Sequence, residues 1–254
     1  MPDLAALLLP AGVSAGVAGL LIVLSFFTSA ITAAFGIGGG VAMLGGLAST
    51  VPPATIIAVH GVVQLGSNIG RAIVQRKHAV MRLVGLFCIG SVVGVALGAW
   101  LVVALPTRIL LGALGLFILA MVWLPKPRIP GLERSGMIIG GLISSVLTMF
   151  VGATGPFIQS VLLGFNLDKK QLVATHAMAM AIQHGLKVIA FGIIGFSFAD
   201  WWPLLAAMIA SGFLGTLLGT ALLERLPEKW FRIAIQTILT ILALDLLRKA
   251  AFGG

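Results

Sequence analysis

Few side chains in this sequence can do chemistry, and those that can fall into two sets at one spacing. His60, Gln64, Asn68 and Arg71 are separated by four, four and three positions, which puts them on one face of a helix. His176, Met180, His184 and Lys187 repeat the spacing, with Gln183 beside them. A polar stripe ending in a cation is costly inside apolar sequence and usually faces a cavity or pathway. Its groups are donors and imidazoles without carboxylates, the chemistry of holding an anion. Simpler roles stand beside this one: Arg71 could snorkel to an interface, and His60 and His176 could be interhelical hydrogen-bonding groups. On the pathway reading, Arg71 serves the inner side and Lys187 the outer.

Two glycine-rich breaks accompany the stripes. Gly36-Ile37-Gly38-Gly39-Gly40 interrupts one apolar run, and Gly152-Ala153-Thr154-Gly155-Pro156 interrupts another 116 positions later. Glycine costs helix stability, and irregular backbone within a bilayer needs protein or water to satisfy its polar groups. Matching breaks in two halves point to a transporter's binding site, although small residues also serve close helix packing. Each break is followed by a short apolar run, so each short helix would aim free N–H groups and its dipole at the break. Gly38, Gly39, Gly40, Thr154 and Gly155 are therefore expected to hold an anion, with Gln64, Asn68, His184 and Lys187. His60, His176, Arg71 and Gln183 are expected to line its route.

The elements that must position these residues are membrane helices. Hydrophobic residues make up 59% of the chain and charged residues 9%, and the mean hydropathy is +1.16. Soluble domains carry about 25% charged residues. The alternation expected of a membrane barrel is absent, so the fold class is an all-α integral membrane protein. The net charge of +9 resides in short connections between apolar runs, where it sets topology and does not imply nucleic acid. One cysteine, Cys88, permits no intrachain disulfide. The histidines have no carboxylates at metal-ligand spacing, so no metal or cofactor is expected. Asp200, Glu224 and Glu228 lie at run ends; Asp245 is the nearest approach to an embedded acid. The absence of such an acid argues against a cation as substrate.

In order, apolar runs cover about 11–34, 39–50, 54–75, 82–104 and 107–124, then 135–151, a short run to about 165, 171–194, 201–223 and 229–247. The polar linker 125–134 divides a first repeat, 1–124, from a second, 135–254. With an offset of 116, Gly36 falls on Gly152, Gly39 on Gly155, Ala58 on Ala174, His60 on His176 and Ile73 on Ile189. After five residues gained near Gly195–Asp200 the offset is 121: Gly94 meets Gly215, Gly98 meets Gly219, and Leu105-Pro106 meets Leu226-Pro227. Such register indicates duplication.

Most cations fall in four connections that would share the cytoplasmic side. Both termini are then extracytoplasmic, in the inner (plasma) membrane. The first run lacks the basic start of a signal peptide and reads as a retained helix. Five segments per half, an odd number, make the second repeat inverted. The short runs, at 1.5 Å per residue, reach roughly 18 Å, too little for a core of about 30 Å. The breaks are thus expected inside the membrane. Trp100, Trp123, Trp201, Trp202 and Trp230 lie near run ends, as an interfacial belt would.

The motif Gly36–Gly40, its second copy at Gly152–Pro156, the small size and the paired five-segment halves resemble the TauE/SafE family of sulfite and sulfonate exporters over essentially the whole chain. The resemblance implies a transporter of small sulfur-containing anions such as sulfite, sulfoacetate or thiosulfate, often outward. Gly45 stands where members commonly carry proline, and Val59 replaces a frequent threonine that the second half retains as Thr175. Two other functions remain open on the same residues: a passive anion channel and a non-transporting membrane scaffold. No Ser-His-Asp arrangement, HExxH or paired intramembrane carboxylate suggests an enzyme.

Overall fold

A computed structural model describes residues 9–35, 37–102, 107–124, 134–162, 164–165, 167–222 and 228–252. Gly36, the linker at 125–133 and both Leu-Pro pairs lie outside the described residues. The described residues form ten α-helices and no strands: α1 Ala15–Phe35, α2 Gly39–Thr50, α3 Pro53–Gln75, α4 Met81–Val102, α5 Thr107–Trp123, α6 Arg134–Val151, α7 Gly155–Leu162, α8 Lys169–Ile193, α9 Trp202–Leu222 and α10 Glu228–Phe252. Every apolar run corresponds to a helix, and α10 extends five residues further than the run that announced it. The five residues gained near Gly195–Asp200 fall in a turn at Gly195 and a 3-10 turn, Ala199–Trp201.

Local chemistry sets the boundaries. Gly38 adopts φ 103°, which only glycine takes readily, and so lets the chain turn from α1 into α2. Gly152, at φ 82°, does the same between α6 and α7. Pro53 occupies the first turn of α3, where its missing N–H costs nothing. A 3-10 turn, Arg76–His78, leads on to α4, and its three basic side chains are exposed.

Four helix pairs dominate the packing. The most extensive pairs are α4 with α6, α1 with α9, α3 with α8 and α5 with α10. Lipid tails are as apolar as leucine, so helices in a membrane associate through close van der Waals approach at small residues. A Cβ on Gly94 would overlap the Leu142 carbonyl of α6, and one on Gly215 would overlap the Phe26 carbonyl of α1. Gly219 meets Ala30 in the same way, whereas a Cβ on Gly98 would overlap the Met149 side chain and come close to the Val146 carbonyl. These contacts map onto one another under the offsets 116 and 121. They also make α1 parallel to α9 and α4 parallel to α6. In contrast, α5 and α10 are antiparallel: Gly112 lies against Ala250, and Trp123 donates to Thr240 Oγ1 at 3.0 Å. Gly61 against Lys187, and Leu65 against Gly185, likewise set α3 antiparallel to α8.

Among the described residues, three helical stretches, Ala15–Ala34, Met81–Leu101 and Ala199–Gly219, are long and apolar enough to cross a membrane by themselves. Large apolar side chains stay exposed on them, among them Leu20, Phe27, Ile89, Leu97, Leu214 and Leu218. Trp100, Trp123 and Trp202 are exposed near helix ends, whereas Trp201 is buried. The polar helices α3 and α8 lie against each other, with α2 and α7 bringing their N-termini towards them.

Candidate functional site

A cavity opens where α3 and α8 meet the two breaks. It holds about 350 Å³ of space between atoms, its open mouth included, and its lining includes Thr32, Gly38, Gly40, His60, Gln64, Asn68, Arg71, Gly155, His176 and His184. The whole α3 stripe therefore faces one space, as its spacing predicts. Among the described residues, no carboxylate lines it. Ile37, Val41, Ala153, Pro156 and Met180 supply its apolar wall.

Arg71 is the cation of this cavity. It is 2% exposed, so it does not snorkel. Its Nη1 donates to the Thr32 carbonyl at 3.4 Å and its Nη2 to Asn68 Oδ1, while its Nε has no protein partner. Thr32 lies in the last turn of α1, so the guanidinium sits beside carbonyls at a helix C-terminus, where positive charge is favoured. Asn68 is itself held by its Nδ2 donating to the Gln64 carbonyl at 2.7 Å.

Lys187 is placed differently from the expectation. Its ammonium donates to the Gly152 carbonyl at 3.0 Å and to Thr148 Oγ1 at 3.4 Å, outside the cavity lining. The reason is geometric: the positive φ of Gly152 leaves a carbonyl just past the end of α6, and a long lysine stem reaches it. Thr148 Oγ1 donates to that carbonyl too, at 2.9 Å. Lys187 thus caps α6, and Arg71 is the one cation among the described residues that line the cavity. Gln183 also departs from the expected route. Its Nε2 donates to Ser144 Oγ at 2.8 Å and Ser145 Oγ at 3.0 Å, and its Oε1 accepts from Thr154 Oγ1 at 2.9 Å. Gln183 and Thr154 therefore brace the second break and do not line the cavity. Gly39 does not line it either, because it packs on α1, where a Cβ would overlap the Thr28 carbonyl.

His60 and His176 both make hydrogen bonds between helices and lie in the cavity lining. His60 Nε2 lies 2.9 Å from the Gly40 carbonyl, and His176 Nε2 lies 3.0 Å from the Gly155 carbonyl. A carbonyl only accepts, so both Nε2 atoms carry hydrogen. Each imidazole pins the start of a short helix and also lines the cavity. His184 packs edge-on to His60, with ring centroids 5.8 Å apart, and joins α8 to α3 across the site.

The two helix N-termini differ in what they offer. In α2 the Ala42 N–H returns to the Gly38 carbonyl at 3.0 Å, and Gly40 reaches the cavity with its backbone. In α7 Thr154 accepts from Phe157 N–H at 3.0 Å, and Pro156 has no N–H to give. The first break therefore presents the richer set of donors.

Thr32 lines the cavity without having been singled out, and Ser144, Ser145 and Thr148 anchor Gln183 and Lys187. A signal existed. Thr28, Ser29 and Thr32 recur as Ser144, Ser145 and Thr148 under the 116 offset.

The family model described as sulfite exporter TauE/SafE matches residues 20–246. The chain belongs to the TauE/SafE family. Membership sets it among membrane transport proteins. A probable membrane transporter protein of Haemophilus influenzae is 29% identical over 215 residues, covering 79% of this chain and 82% of that protein. No solved structure gives a significant match. The TauE/SafE match begins within α1 and ends within α10, so it takes in both breaks and both polar helices.

Proposed function

We propose that this protein is a secondary transporter that exports a small sulfur-containing anion, such as sulfite or a sulfonate, by alternating access. The observation that carries this reading is a buried guanidinium, Arg71, in a cavity at the start of α2 whose described lining holds no carboxylate. Arg71 Nε, the Gln64 amide and the backbone at Gly40 would hold the anion, with His184 and Gly155 closing the opposite side. Fixed donors replace the anion's water more effectively than a flexible apolar wall would. Gln183, Thr154 and Lys187 then position the second break and do not touch the ligand.

Two inverted repeats, 1–124 and 135–254, would rock about this site. The antiparallel run of α3 against α8 and of α5 against α10 supports that reading. The inner membrane is the proposed location, with both termini extracytoplasmic. Purified protein in liposomes is expected to carry labelled sulfite down its gradient, and Arg71→Gln is expected to lose most of that flux. Full flux in the Arg71 variant would remove the site assignment; no flux of any anion in the parent would remove the transport reading.

A further inference from the structure

The connection from α3 to α4 carries charge that the described residues leave unpaired. Arg76, Lys77 and His78 form its 3-10 turn, and Arg82 follows in the first turn of α4; all four side chains are exposed. None of them makes a side-chain hydrogen bond or ion pair among the described residues. Helices α1 to α9 contain no Asp or Glu to supply one. Arg82 also stands at the positive end of the α4 dipole, with no acidic residue in that turn to offset it. Val80 N–H donates to Thr175 Oγ1 of α8 at 3.0 Å, which fixes the turn against a helix that begins Lys169-Lys170. Asp168, the acid before that helix, accepts from Gln171 N–H at 2.9 Å.

The fold does not need this charge. The corresponding turn of the second half, Gly195–Trp201, joins α8 to α9 with no cation and carries Asp200. Apolar surface adjoins the basic turn: Ile73 and Val74 are exposed near the end of α3, and Met81 is exposed at the start of α4. Met81–Leu101 is long enough to cross a membrane, so Arg76–Arg82 stands where a span meets lipid headgroups. Basic clusters at such a border attract anionic lipid, each Lys or Arg near the surface strengthening the attraction. We propose that Arg76, Lys77 and Arg82 seat the phosphate of an anionic glycerophospholipid whose acyl chains lie along Ile73 and Val74. The seat is separate from the cavity and needs only the membrane location. Because α3 also carries Arg71, the lipid holds the end of the helix that supplies the cavity's cation.

Native mass spectrometry of the purified, delipidated full chain in detergent measures the seat, with phosphatidylglycerol and phosphatidylcholine of the same acyl chains as probes. Phosphatidylglycerol is expected to bind roughly tenfold tighter than phosphatidylcholine. Arg76→Gln, Lys77→Gln and Arg82→Gln are each expected to weaken phosphatidylglycerol by about fivefold and leave phosphatidylcholine unchanged. Arg108→Gln, at an exposed cation that begins α5, is the control and is expected to change neither. Equal affinities for the two lipids, or no binding of either, would overturn the proposal. Unchanged phosphatidylglycerol affinity in the three turn variants, or an equal loss in Arg108→Gln, would overturn its placement on this turn. Glycerol 3-phosphate competing as strongly as the lipid would show a phosphate site without acyl contacts and overturn the lipid as its occupant.

Discussion

Arg71 and Lys187 occupy corresponding positions on helices related by the 116 offset, yet only Arg71 lines the cavity. Charge-assisted hydrogen bonds contribute about 1.5–3 kcal/mol, so Arg71→Gln should weaken anion binding by roughly ten- to a hundredfold. Lys187→Met should change affinity by less than about threefold, since its ammonium serves a carbonyl of the break. Calorimetry on the two variants decides between them, and the reverse order would return the anion to Lys187. The α3 stripe was readable because four side chains with one periodicity shared one fate. Lys187 was not, because its partner is a backbone carbonyl freed by the positive φ of Gly152. Residue types alone do not show where a break turns its carbonyls. The Thr32 hydroxyl escaped notice because a threonine in an apolar run usually bonds back to its own helix, as this one also does.

Helices α4 and α9 work through their glycines. Overpacking at a backbone contact costs typically about 1–3 kcal/mol, and both Gly94 and Gly215 touch a carbonyl of the facing helix. Gly85 lies in the same helix as Gly94, and a Cβ there would meet nothing within 4 Å. Gly94→Ala should therefore lower the unfolding temperature clearly, whereas Gly85→Ala should leave it unchanged or raise it slightly, as helix propensity dictates. Equal shifts would remove the packing argument. Gly155 makes a different test, because a Cβ there would stand 3.5 Å from His176 Nε2, an ordinary contact. Gly155→Ala should keep the fold and reduce anion binding by narrowing the cavity. A thermal-shift scan beside a binding titration separates the two effects, and unchanged binding would exclude Gly155 from the site. The all-helical class and, among the described residues, the helix ends were legible from apolar run length and from proline and glycine. The partner of each helix was not, since every apolar run offers its neighbours a similar surface.

For the whole molecule, the decisive question is the direction of the second half. If the repeats are inverted, the turn at Arg76–His78 after α3 and the turn at Gly195–Trp201 after α8 open on opposite faces of the membrane. Cys88 is the sole cysteine, so replacing it gives a clean background. Lys77→Cys should then react with an impermeant maleimide only from the cytoplasmic side, and Ser197→Cys only from the other. Labelling of both from one side would exclude inversion.

The pairing of α1 with α9 also bears on how the chain is made. Ser25 Oγ donates to the Met208 carbonyl at 2.7 Å across 183 positions, and Gly212, Gly215 and Gly219 of the same late helix also pack on α1. During synthesis α1 enters the bilayer long before the surface it fits has left the ribosome. Its hydroxyls Ser25, Thr28, Ser29 and Thr32 must meanwhile bond to their own helix or to transient neighbours. The α4–α6 pair closes much sooner, because its members are consecutive but for α5. Assembly should accordingly begin around α4 and α6 and finish when α9 meets α1. A nascent chain stopped before α9 should leave α1 exchangeable with other membrane helices, and so open to the quality-control proteases that read unpaired polar spans.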